Sequence, residues 1–509
     1  MCRFLGRSIT VLLTFSILSC SVGFENANLA LEPIGIIKSK ESKEIISSPF
    51  GIQAGTTEDS ILQFAAQIGV KWTRLGAHWS DIENRKGVYR WNNLDTAINA
   101  VISYGITPFI TIGGGNELYS ELGTYADDKL AAIYGYKPEP PVKDVEAFNA
   151  FLTFVEATVT RYKDKIDYWE IWNEPNHRNY WGATPDGKEY GILLLKTATL
   201  VRQLDPGCKI IAGATAGIDP VFTNDFLKVC PDSLIDIISF HNYGAIPEER
   251  VYLAVELWEV INRYNKNIEL WQGECGYPSH SSTRDYRGRA PWGLNIQAKW
   301  LLRQSFVDLY FCHTSLSNYF KLAHIGGKGE KHERTNLSPL DSIFGYPERG
   351  GSRVRTKGIN EKCLLSNPDF IKKPGFFAYQ NLCAIWKPDY KTYKINYAFE
   401  ITDEGDFYGI SEDDAFPSVP LLASFADSSG NHLVAYWLPW NMQENLINTA
   451  KISITLHNLS FKSPVCIDPM SGKVYPVNMI KKDNHCIISM APLTDFPLII
   501  AEQSTIKLK

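Results

Sequence analysis

The chain reads GVKWTRLGAHW at residues 69–79 and GITPFITIGGG at residues 105–115. Each segment is a β-rich run that ends in polar or small residues. An amphipathic stretch around Leu94 to Tyr104, with the apolar spacing of a helix, lies between them. Strand, helix and strand in this order predict one unit of an α/β fold. The same alternation extends over most of the chain.

Six more β-rich segments continue this alternation, one before the quoted pair and five after it. They are residues 48–55, 166–176, 209–217, 234–244, 268–277 and 316–324. Eight strand–helix alternations over roughly 330 residues predict an α/β protein with a (β/α)8 TIM barrel at residues 45–385. A doubly wound open sheet is the alternative. That fold usually carries a glycine-rich phosphate turn after its first strand, and Gly113–Gly115 lack the spacing for one.

The sequence changes character in its last quarter. Ile452, Ile454 and Leu456 alternate with polar residues, which is typical of a half-buried strand. Residues 496–501 form another apolar β run. Residues 390–509 are therefore predicted to form a small antiparallel β-sandwich packed on the barrel. Two domains agree with the length of 509 residues.

The composition is that of an ordinary globular protein, with 44% hydrophobic and 21% charged residues. The net charge of −5 supplies no field that would attract nucleic acid or an anionic membrane. Beyond the N-terminal region, no stretch is long and apolar enough to span a bilayer. The cysteines lack paired metal-type spacing, so we expect no metal site. Cys208/Cys230 and Cys466/Cys486 are candidate disulfides, with free buried thiols as the alternative.

The N-terminus has the pattern of an export signal. Arg3 and Arg7 precede a short apolar run that ends at Ser19-Cys20. The last four residues of this segment also resemble a bacterial lipobox, which would make Cys20 the acylated first residue of the mature protein. We predict that residues 1–20 are a signal peptide and that the protein is exported, as a periplasmic, outer-membrane-anchored or secreted protein. Cleavage nearby without a lipid and a buried N-terminal helix are the alternatives.

Two glutamates follow predicted strands, Glu174 after the fourth and Glu274 after the seventh. The C-terminal ends of barrel strands converge on one face, so the two side chains are predicted to approach each other over the barrel mouth. Glycoside hydrolysis needs one carboxylic acid to protonate the leaving oxygen and one carboxylate at the anomeric carbon, about 5–5.5 Å apart in retaining enzymes. The charge of Glu274 is expected to raise the pKa of Glu174, which keeps its proton before reaction. A helix-start carboxylate is the alternative for Glu174.

Four polar residues are predicted to support this pair of glutamates. Tyr243 is expected to donate a hydrogen bond to Glu274, and Arg74 to pair with the same carboxylate. Asn173 is expected to bond a substrate hydroxyl, and His241 alternates with Tyr243 so that both point to one face. The alternatives are a core histidine for His241 and a structural ion pair for Arg74.

Further side chains are predicted to contact a sugar. His78 and Asn116 lie on the active face if the predicted strand ends are right, and Trp271 is a candidate platform for a sugar ring. The other candidate platforms, for which core packing is the alternative, are Trp79, Trp172, Trp181 and Trp292.

One insertion, residues 325–373 after the eighth strand, is rich in glycine, lysine and arginine and shows no hydrophobic period. It is expected to lie on the active face, because the loops that follow barrel strands do. We hypothesise that Arg353, Arg355 and Lys357 bind an anionic polysaccharide, with a solvated loop as the alternative.

Three segments resemble the clan A glycoside hydrolases, namely WNEPN (172–176), SFHNY (239–243) and WQGECGYPS (271–279). Residues 69–110 are similar to the second and third barrel segments of that clan. The resemblance is to the branch that holds β-xylosidases, α-L-iduronidases and bacterial exopolysaccharide hydrolases, with cellulase-like families next to it. It covers most of residues 48–385.

The resemblance implies that Glu174 is the acid/base and that Glu274 is the nucleophile. The clan's supporting residues match Arg74, Asn173, His241 and Tyr243. This chain departs from the clan at Cys275, where a phenylalanine or tryptophan is usual, and at Phe320-Lys321, where many members have a tryptophan. These departures bear on which sugar is bound more than on the reaction.

The sequence therefore predicts an exported retaining glycoside hydrolase that acts on a β-linked poly- or oligosaccharide by double displacement. Two carboxylates suffice for that reaction, so we expect no metal and no organic cofactor. The alternatives are a transglycosylase with the same residues, a non-catalytic carbohydrate-binding protein on the same barrel and an extracellular adhesion module.

Overall fold

The computed structural model describes residues 29, 31–120, 139–182, 184–243, 246–279, 293–324, 331–333, 354–356, 361–367, 369–405, 419–439, 442–446 and 449–509. The predicted signal segment with Cys20 lies outside the described residues, as do Trp292, Arg353 and Lys357. Arg355 is described by its backbone alone.

The described strands number 21. They are β1 (Gly35–Ile36), β2 (Phe50–Gln53), β3 (Trp72–His78), β4 (Thr107–Gly113), β5 (Tyr168–Ile171), β6 (Lys209–Ala216), β7 (Ile237–His241), β8 (Glu269–Cys275), β9 (Leu316–Phe320), β10 (Lys331–Glu333), β11 (Val354–Thr356), β12 (Lys391–Thr392), β13 (Asn396–Asp403), β14 (Leu421–Ala426), β15 (His432–Trp437), β16 (Ala450–His457), β17 (Pro464–Ile467), β18 (Lys473–Pro476), β19 (Asn478–Lys482), β20 (His485–Leu493) and β21 (Leu498–Glu502).

Ten described α-helices connect or flank these strands. They are α1 (Asp59–Ile68), α2 (Trp79–Ile82), α3 (Asn92–Ser103), α4 (Val145–Tyr162), α5 (Arg178–Trp181), α6 (Gly187–Leu204), α7 (Pro220–Leu227), α8 (Val251–Tyr264), α9 (Leu294–Phe306) and α10 (Pro374–Ile385). A π-helical turn, Val307–Phe311, continues α9.

Strands β2 to β9 form a closed parallel barrel in sequence order. Strand β2 pairs with both β3 and β9, which closes the barrel; Gly51, for example, lies opposite Trp72 and Asn318. Each strand falls within the segment predicted for it, and the predicted TIM barrel is confirmed. A parallel barrel brings all eight C-terminal strand ends to one face, so the polar residues at those ends share one mouth.

The periodic apolar residues explain the helices on the outside of the barrel. Helix α1 buries Ile61, Leu62 and Ala65 and ends at Gly69, whose φ of 89° is the left-handed conformation that glycine adopts readily. Asp144 caps the N-terminus of helix α4, because its carboxylate accepts a hydrogen bond from the backbone N–H of Ala147 at 2.7 Å.

Two barrel strands carry register irregularities near their C-terminal ends. In β6 the pairing with β7 shifts between Gly213 and Thr215, and in β8 the pairing with both β7 and β9 shifts after Gln272. A bulge adds an unpaired residue and turns the following side chain to a new direction. The strand ends on this side of the mouth therefore depart from simple alternation.

The C-terminal region forms two antiparallel sheets, which confirms the predicted sandwich type. One sheet has the order β1-β18-β17-β21-β15-β14-β12, and the other has the order β13-β16-β20-β19. Strand β1 precedes the barrel in sequence but pairs with β18, with Gly35 opposite Val474. The segment before the barrel therefore completes a sheet of the C-terminal region.

The eight cysteines in the described part of the chain are all buried and free, including Cys208, Cys230, Cys466 and Cys486. The free-thiol alternative therefore holds for both candidate disulfides. Among the described residues, no helix combines the length and the hydropathy needed to cross a bilayer.

Candidate active site

Glu174 stands in a turn directly after β5. Trp172 and Glu174 both have positive φ, 70° and 45°, a conformation that is uncommon for residues other than glycine and that clusters at functional sites. The backbone N–H of Trp172 donates to the carbonyl of Ile112 at 2.8 Å, and that of Glu174 donates to the carbonyl of Ala214 at 2.9 Å. These bonds fix the turn to the neighbouring strands β4 and β6.

Glu274 lies at the end of β8, after the irregularity in that strand, and pairs in register with His241 of β7. The preceding residue, Gly273, is closely packed, because a Cβ at that position would lie 2.3 Å from the Oγ of Ser239. The side chain of Glu274 is 13% exposed, so its carboxylate remains open to the mouth.

The two carboxylates meet over the barrel. Glu174, His241 and Glu274 each offer a side-chain oxygen or nitrogen within 4.8 Å of those of the other two. Carboxyl groups are about 5–5.5 Å apart in retaining glycosidases and about 6.5–9.5 Å apart in inverting ones, which need room for a water molecule. The spacing here is that of the retaining geometry.

Arg74, from β3, connects three acceptors beneath the mouth. Its Nε donates to Glu170 at 2.6 Å, its Nη1 to Glu274 at 2.8 Å and its Nη2 to the Oδ1 of Asn173 at 2.9 Å. Burial alone would lower the pKa of Arg74, but the charges of Glu170 and Glu274 outweigh burial and raise it. Arg74 therefore stays cationic and holds one oxygen of Glu274 in a fixed direction.

Tyr243 holds the other oxygen of Glu274, because its hydroxyl donates to the Oε1 at 2.5 Å. Burial and then the charge of Glu274 raise the pKa of Tyr243 well above its ordinary value. The phenol therefore remains a donor at any physiological pH, and both oxygens of Glu274 are oriented.

Glu174 is hydrogen-bonded to the Nδ1 of His241 at 2.9 Å. Burial raises the pKa of Glu174, but the hydrogen bond and charge of His241, with smaller contributions from His177 and Arg74, lower it below its ordinary value. The expected rise of this pKa is therefore wrong in direction. His241 is in direct contact with the carboxylate, and its hydrogen bond and charge oppose the effect of burial.

The same three side chains have the ligand types and spacing of a cation site. Glu274, however, already accepts from the Arg74 guanidinium and from Tyr243. A divalent cation would have to lie beside that fixed positive charge. The arrangement therefore fits an acid and a nucleophile better than a metal centre.

The structure places two of the predicted sugar contacts, Trp271 and Asn116, in buried positions. Trp271 packs with Phe109 and Trp72 in a core cluster formed by early residues of the barrel strands. It precedes Glu274 by three residues, so it lies inside the barrel below the mouth. Asn116 is buried, and its amide donates to the carbonyl of Glu83 while its Oδ1 accepts from the backbone of Leu118. Its side chain therefore stabilises the loop in which it lies.

The other candidate residues divide between the mouth and the core. His78 is exposed at the end of β3, on the same side of that strand as Arg74. The tryptophans at 79, 172 and 181 are buried with ring contacts to other aromatic side chains, which is the core-packing alternative. Trp172 and Trp181 pack against each other beside the turn that carries Glu174, and none of the three rings is exposed.

The structure adds one carboxylate that the sequence analysis missed. Glu170 is fully buried and accepts hydrogen bonds from Arg74 and from the hydroxyl of Thr111, the latter at 2.6 Å. It lies inside the apolar run of β5, four residues before Glu174. Its position in the sequence could have indicated this role, because an acidic residue in the middle of a buried strand needs a partner for its charge.

Two lysines near Glu274 were also missed as site residues. Lys362 lies with its Nζ 3.8 Å from the centre of the Tyr243 ring, and Lys321 follows β9 directly. The departure from the clan at Phe320-Lys321 was visible in the sequence. Lys362, in contrast, reaches the mouth from the far end of a long insertion, which no local pattern reveals.

A closed (β/α)8 barrel with an Asn-Glu pair after its fourth strand and a glutamate after its seventh defines the clan A glycoside hydrolases. The sequence profile of glycosyl hydrolases family 39 matches residues 66–268, and the chain carries a domain of that family.

Known proteins agree with this assignment. The β-xylosidase of Geobacillus stearothermophilus is 26% identical over 167 residues, which is 31% of this chain and 31% of the relative. The match thus spans about a third of that relative's length. Two solved structures share the fold. A family 39 glycoside hydrolase from Bacteroides cellulosilyticus WH2 has a TM-score of 0.61 and 16% identity, and the match covers 89% of this chain and 81% of that one. A GH30 endoxylanase from Clostridium papyrosolvens C71 has a TM-score of 0.57 and 10% identity, and the match covers 92% of this chain and 98% of that one.

Proposed function

We propose that this protein is a retaining glycoside hydrolase that cleaves a β-linked poly- or oligosaccharide by double displacement. The observation that carries this proposal is the approach of the Glu174 and Glu274 side chains to within 4.8 Å at the mouth of a closed barrel. The gap leaves no room for a water molecule between nucleophile and sugar, so a side chain has to attack the anomeric carbon.

In the first step, an oxygen of Glu274 forms a bond to the anomeric carbon while the bond to the leaving oxygen breaks. Glu174 transfers its proton to that oxygen, and the first product leaves as an alcohol. Arg74 and Tyr243 hold the carboxylate of Glu274 in line with the anomeric carbon. The product of this step is a glycosyl ester of Glu274.

In the second step, Glu174 is a carboxylate and accepts a proton from water. The water oxygen attacks the anomeric carbon, the ester bond breaks, and Glu274 leaves as a carboxylate. Because the leaving carboxylate carries a negative charge, the guanidinium of Arg74 stabilises this step as well.

β-Xylosides are the first substrates that we propose to test. The similarity to a β-xylosidase supports this choice. Aryl β-D-xylosides and aryl β-D-glucosides differ by one hydroxymethyl group, so a comparison of the two reports how much room the site has at that position.

Two isosteric variants test the reaction. Glu274→Gln removes the nucleophile, so we expect kcat to fall by at least about 10⁴-fold on every glycoside. Glu174→Gln should lose activity on alkyl glycosides and retain much more on dinitrophenyl glycosides, whose leaving group needs no proton. Azide should restore turnover of Glu174→Ala and yield a glycosyl azide. Full activity of Glu274→Gln would contradict the proposal.

We also propose that the protein is exported and that Cys20 is the acylated N-terminal residue of the mature chain. Arg3, Arg7 and the apolar run that follows them support this proposal. Mass determination of the mature N-terminus from the native host checks it, and an unprocessed chain that starts at Met1 would contradict it.

A further inference from the structure

Two histidines face each other on the outer side of the four-stranded C-terminal sheet. His457, the last residue of β16, lies directly opposite His485, the first residue of β20. Strand β16 buries every second side chain, including Leu456, and turns the alternate side chains outward. Both histidines belong to the outward set and are half-buried, so their rings are accessible from solvent. Neither residue is part of the proposed active site.

The backbone holds this histidine pair in place. Immediately beyond it, the N–H of Asn458 donates to the carbonyl of Asn484 at 2.9 Å. Residues 458 and 484 therefore form a hydrogen-bonded pair, and the histidine pair next to them is a non-hydrogen-bonded pair. Side chains lie closer together at non-hydrogen-bonded pairs of an antiparallel sheet. The register of the sheet thus brings the two rings into contact.

The two rings have the spacing of two ligands of one metal ion. Their Nδ1 atoms lie 3.0 Å apart, and the ring planes are inclined at 79° with centres 4.4 Å apart. A straight N–H···N hydrogen bond of this length would hold the ring centres about 5 Å apart. The two nitrogens therefore do not both point along the line that joins them. Two nitrogens that are each about 2.1 Å from one ion, at a right angle, lie about 3.0 Å apart.

The neighbouring strands add one oxygen and one charge to this surface. Asn396 of β13 lies opposite His457, and Lys482 of β19 lies opposite His485. Residues directly opposite each other share a face of the sheet, so all four form one outward row. An amide oxygen beside two imidazole nitrogens gives the mixed nitrogen and oxygen set that is typical of Cu²⁺ and Ni²⁺. The ammonium group of Lys482 weakens the attraction for a cation.

We propose that His457 and His485 bind a divalent transition-metal ion that prefers ligands at right angles, Cu²⁺ or Ni²⁺, through their Nδ1 atoms. Each ring then carries its proton on Nε2 and presents the Nδ1 lone pair to the ion. The ion links β16 to β20 and stabilises the C-terminal sheet, because the unfolded chain lacks this pairing.

This site is independent of the proposed hydrolase function, which needs only two carboxylates. The expectation of no metal site considered the spacing of the cysteines. That spacing carries no information about two histidines that are 28 residues apart and meet through the register of a sheet.

Calorimetric titration of the untagged protein with NiCl₂, CuCl₂ and ZnCl₂ at pH 7.5 tests the site. We expect Ni²⁺ and Cu²⁺ to bind, with affinity at least about tenfold lower in His457→Gln and in His485→Gln and lower still in the double variant. Equal affinity of the wild type and the double variant would overturn the proposal. Tighter binding of Zn²⁺ than of both other ions would overturn the assignment to an ion with right-angled ligands.

The control is His313→Asn, which removes an exposed histidine outside the C-terminal sheets. Asparagine tolerates the positive φ of 53° at this position, so the variant should fold and bind the ions like the wild type. Loss of binding in His313→Asn equal to that in His457→Gln would indicate general binding to surface histidines and would overturn the site.

Two further measurements separate a metal site from a histidine pair that is only hydrogen-bonded. The electron paramagnetic resonance spectrum of the wild type with one equivalent of Cu²⁺ should show coupling to two ring nitrogens, and that of each single variant to fewer. Saturating Ni²⁺ should raise the Tm of the wild type, reversibly with EDTA, and leave that of the double variant unchanged. The Tm of each variant without metal shows that it folds. A wild-type Tm that does not respond to either ion would contradict the proposed link between β16 and β20.

Discussion

One carboxylate oxygen of Glu174 is hydrogen-bonded to His241, and this contact lowers the pKa of the proposed proton donor. The Nδ1 of His241 lies 2.9 Å from the Oε1 of Glu174, and both side chains are buried. The resulting pKa of Glu174 lies below its ordinary value despite the burial. The protonated form of Glu174, which the first step consumes, is therefore abundant only in acidic solution.

Replacement of His241 should move the pH profile. Loss of Glu174 protonation limits kcat/KM on the basic side, so this limb reports the pKa of Glu174 in the free enzyme. His241→Leu removes the donor and the charge that lower this pKa, so the pKa rises and the basic limb moves to higher pH. His241→Gln keeps a donor without a charge and should move the limb less. A basic limb that stays in place or moves to lower pH in His241→Leu would contradict this account.

Arg74 shows how a buried charge is kept in place. Its guanidinium meets two carboxylates, Glu170 and Glu274, and the side-chain oxygen of Asn173. Glu170 is fully buried, so it fixes the guanidinium from below while Glu274 remains open to the mouth. A lysine at position 74 has a single ammonium group and lacks the planar fork that these three acceptors need.

Among the elements, helix α9 is unusual because it is buried along its whole length from Asn295 onward. It lies between the barrel and the C-terminal sheets, and its polar side chains have specific partners. Lys299 pairs with Asp495 at 2.9 Å, with both side chains fully buried, and Arg303 pairs with Glu248 at 2.7 Å. The Lys299–Asp495 pair fastens the barrel to the C-terminal region, whereas the Arg303–Glu248 pair joins two segments of the barrel.

Removal of one charge from the Lys299–Asp495 pair should destabilise the protein. Asp495→Asn leaves the Lys299 ammonium buried without its anion, and we expect the free energy of unfolding to fall by about 3–5 kcal/mol. The double variant Lys299→Met with Asp495→Asn removes both charges and should recover a large part of that loss. Denaturant unfolding of the three proteins at pH 7 measures the effect. Equal stability of the wild type and Asp495→Asn would show that the pair does not hold the helix.

The irregular strands β6 and β8 explain which residues reach the mouth. Simple alternation places every second residue on one face. The irregularity after Gln272 changes the direction of the residues that follow it, so Glu274 faces the mouth although Trp271, three positions earlier, faces the barrel interior. A sequence pattern of period two does not contain this shift.

Across the whole molecule, the sequence predicted the architecture better than the details of the mouth. The eight barrel strands and the meeting of Glu174 with Glu274 follow from apolar runs that end in polar residues, because strand ends of a parallel barrel converge. Trp271 lies below the mouth because it precedes the end of β8 by four residues. Lys362 was missed because its position depends on the path of a long insertion, and the pairing of β1 with β18 depends on contacts between distant parts of the chain.

The central claim is that Glu274 attacks the sugar directly and that Glu174 serves both steps. Proton NMR of a freshly started hydrolysis of an aryl β-glycoside shows which anomer of the released sugar forms first, before mutarotation. Two successive displacements at the anomeric carbon predict that the β-anomer appears first. First appearance of the α-anomer would mean a single displacement by water and would contradict the account.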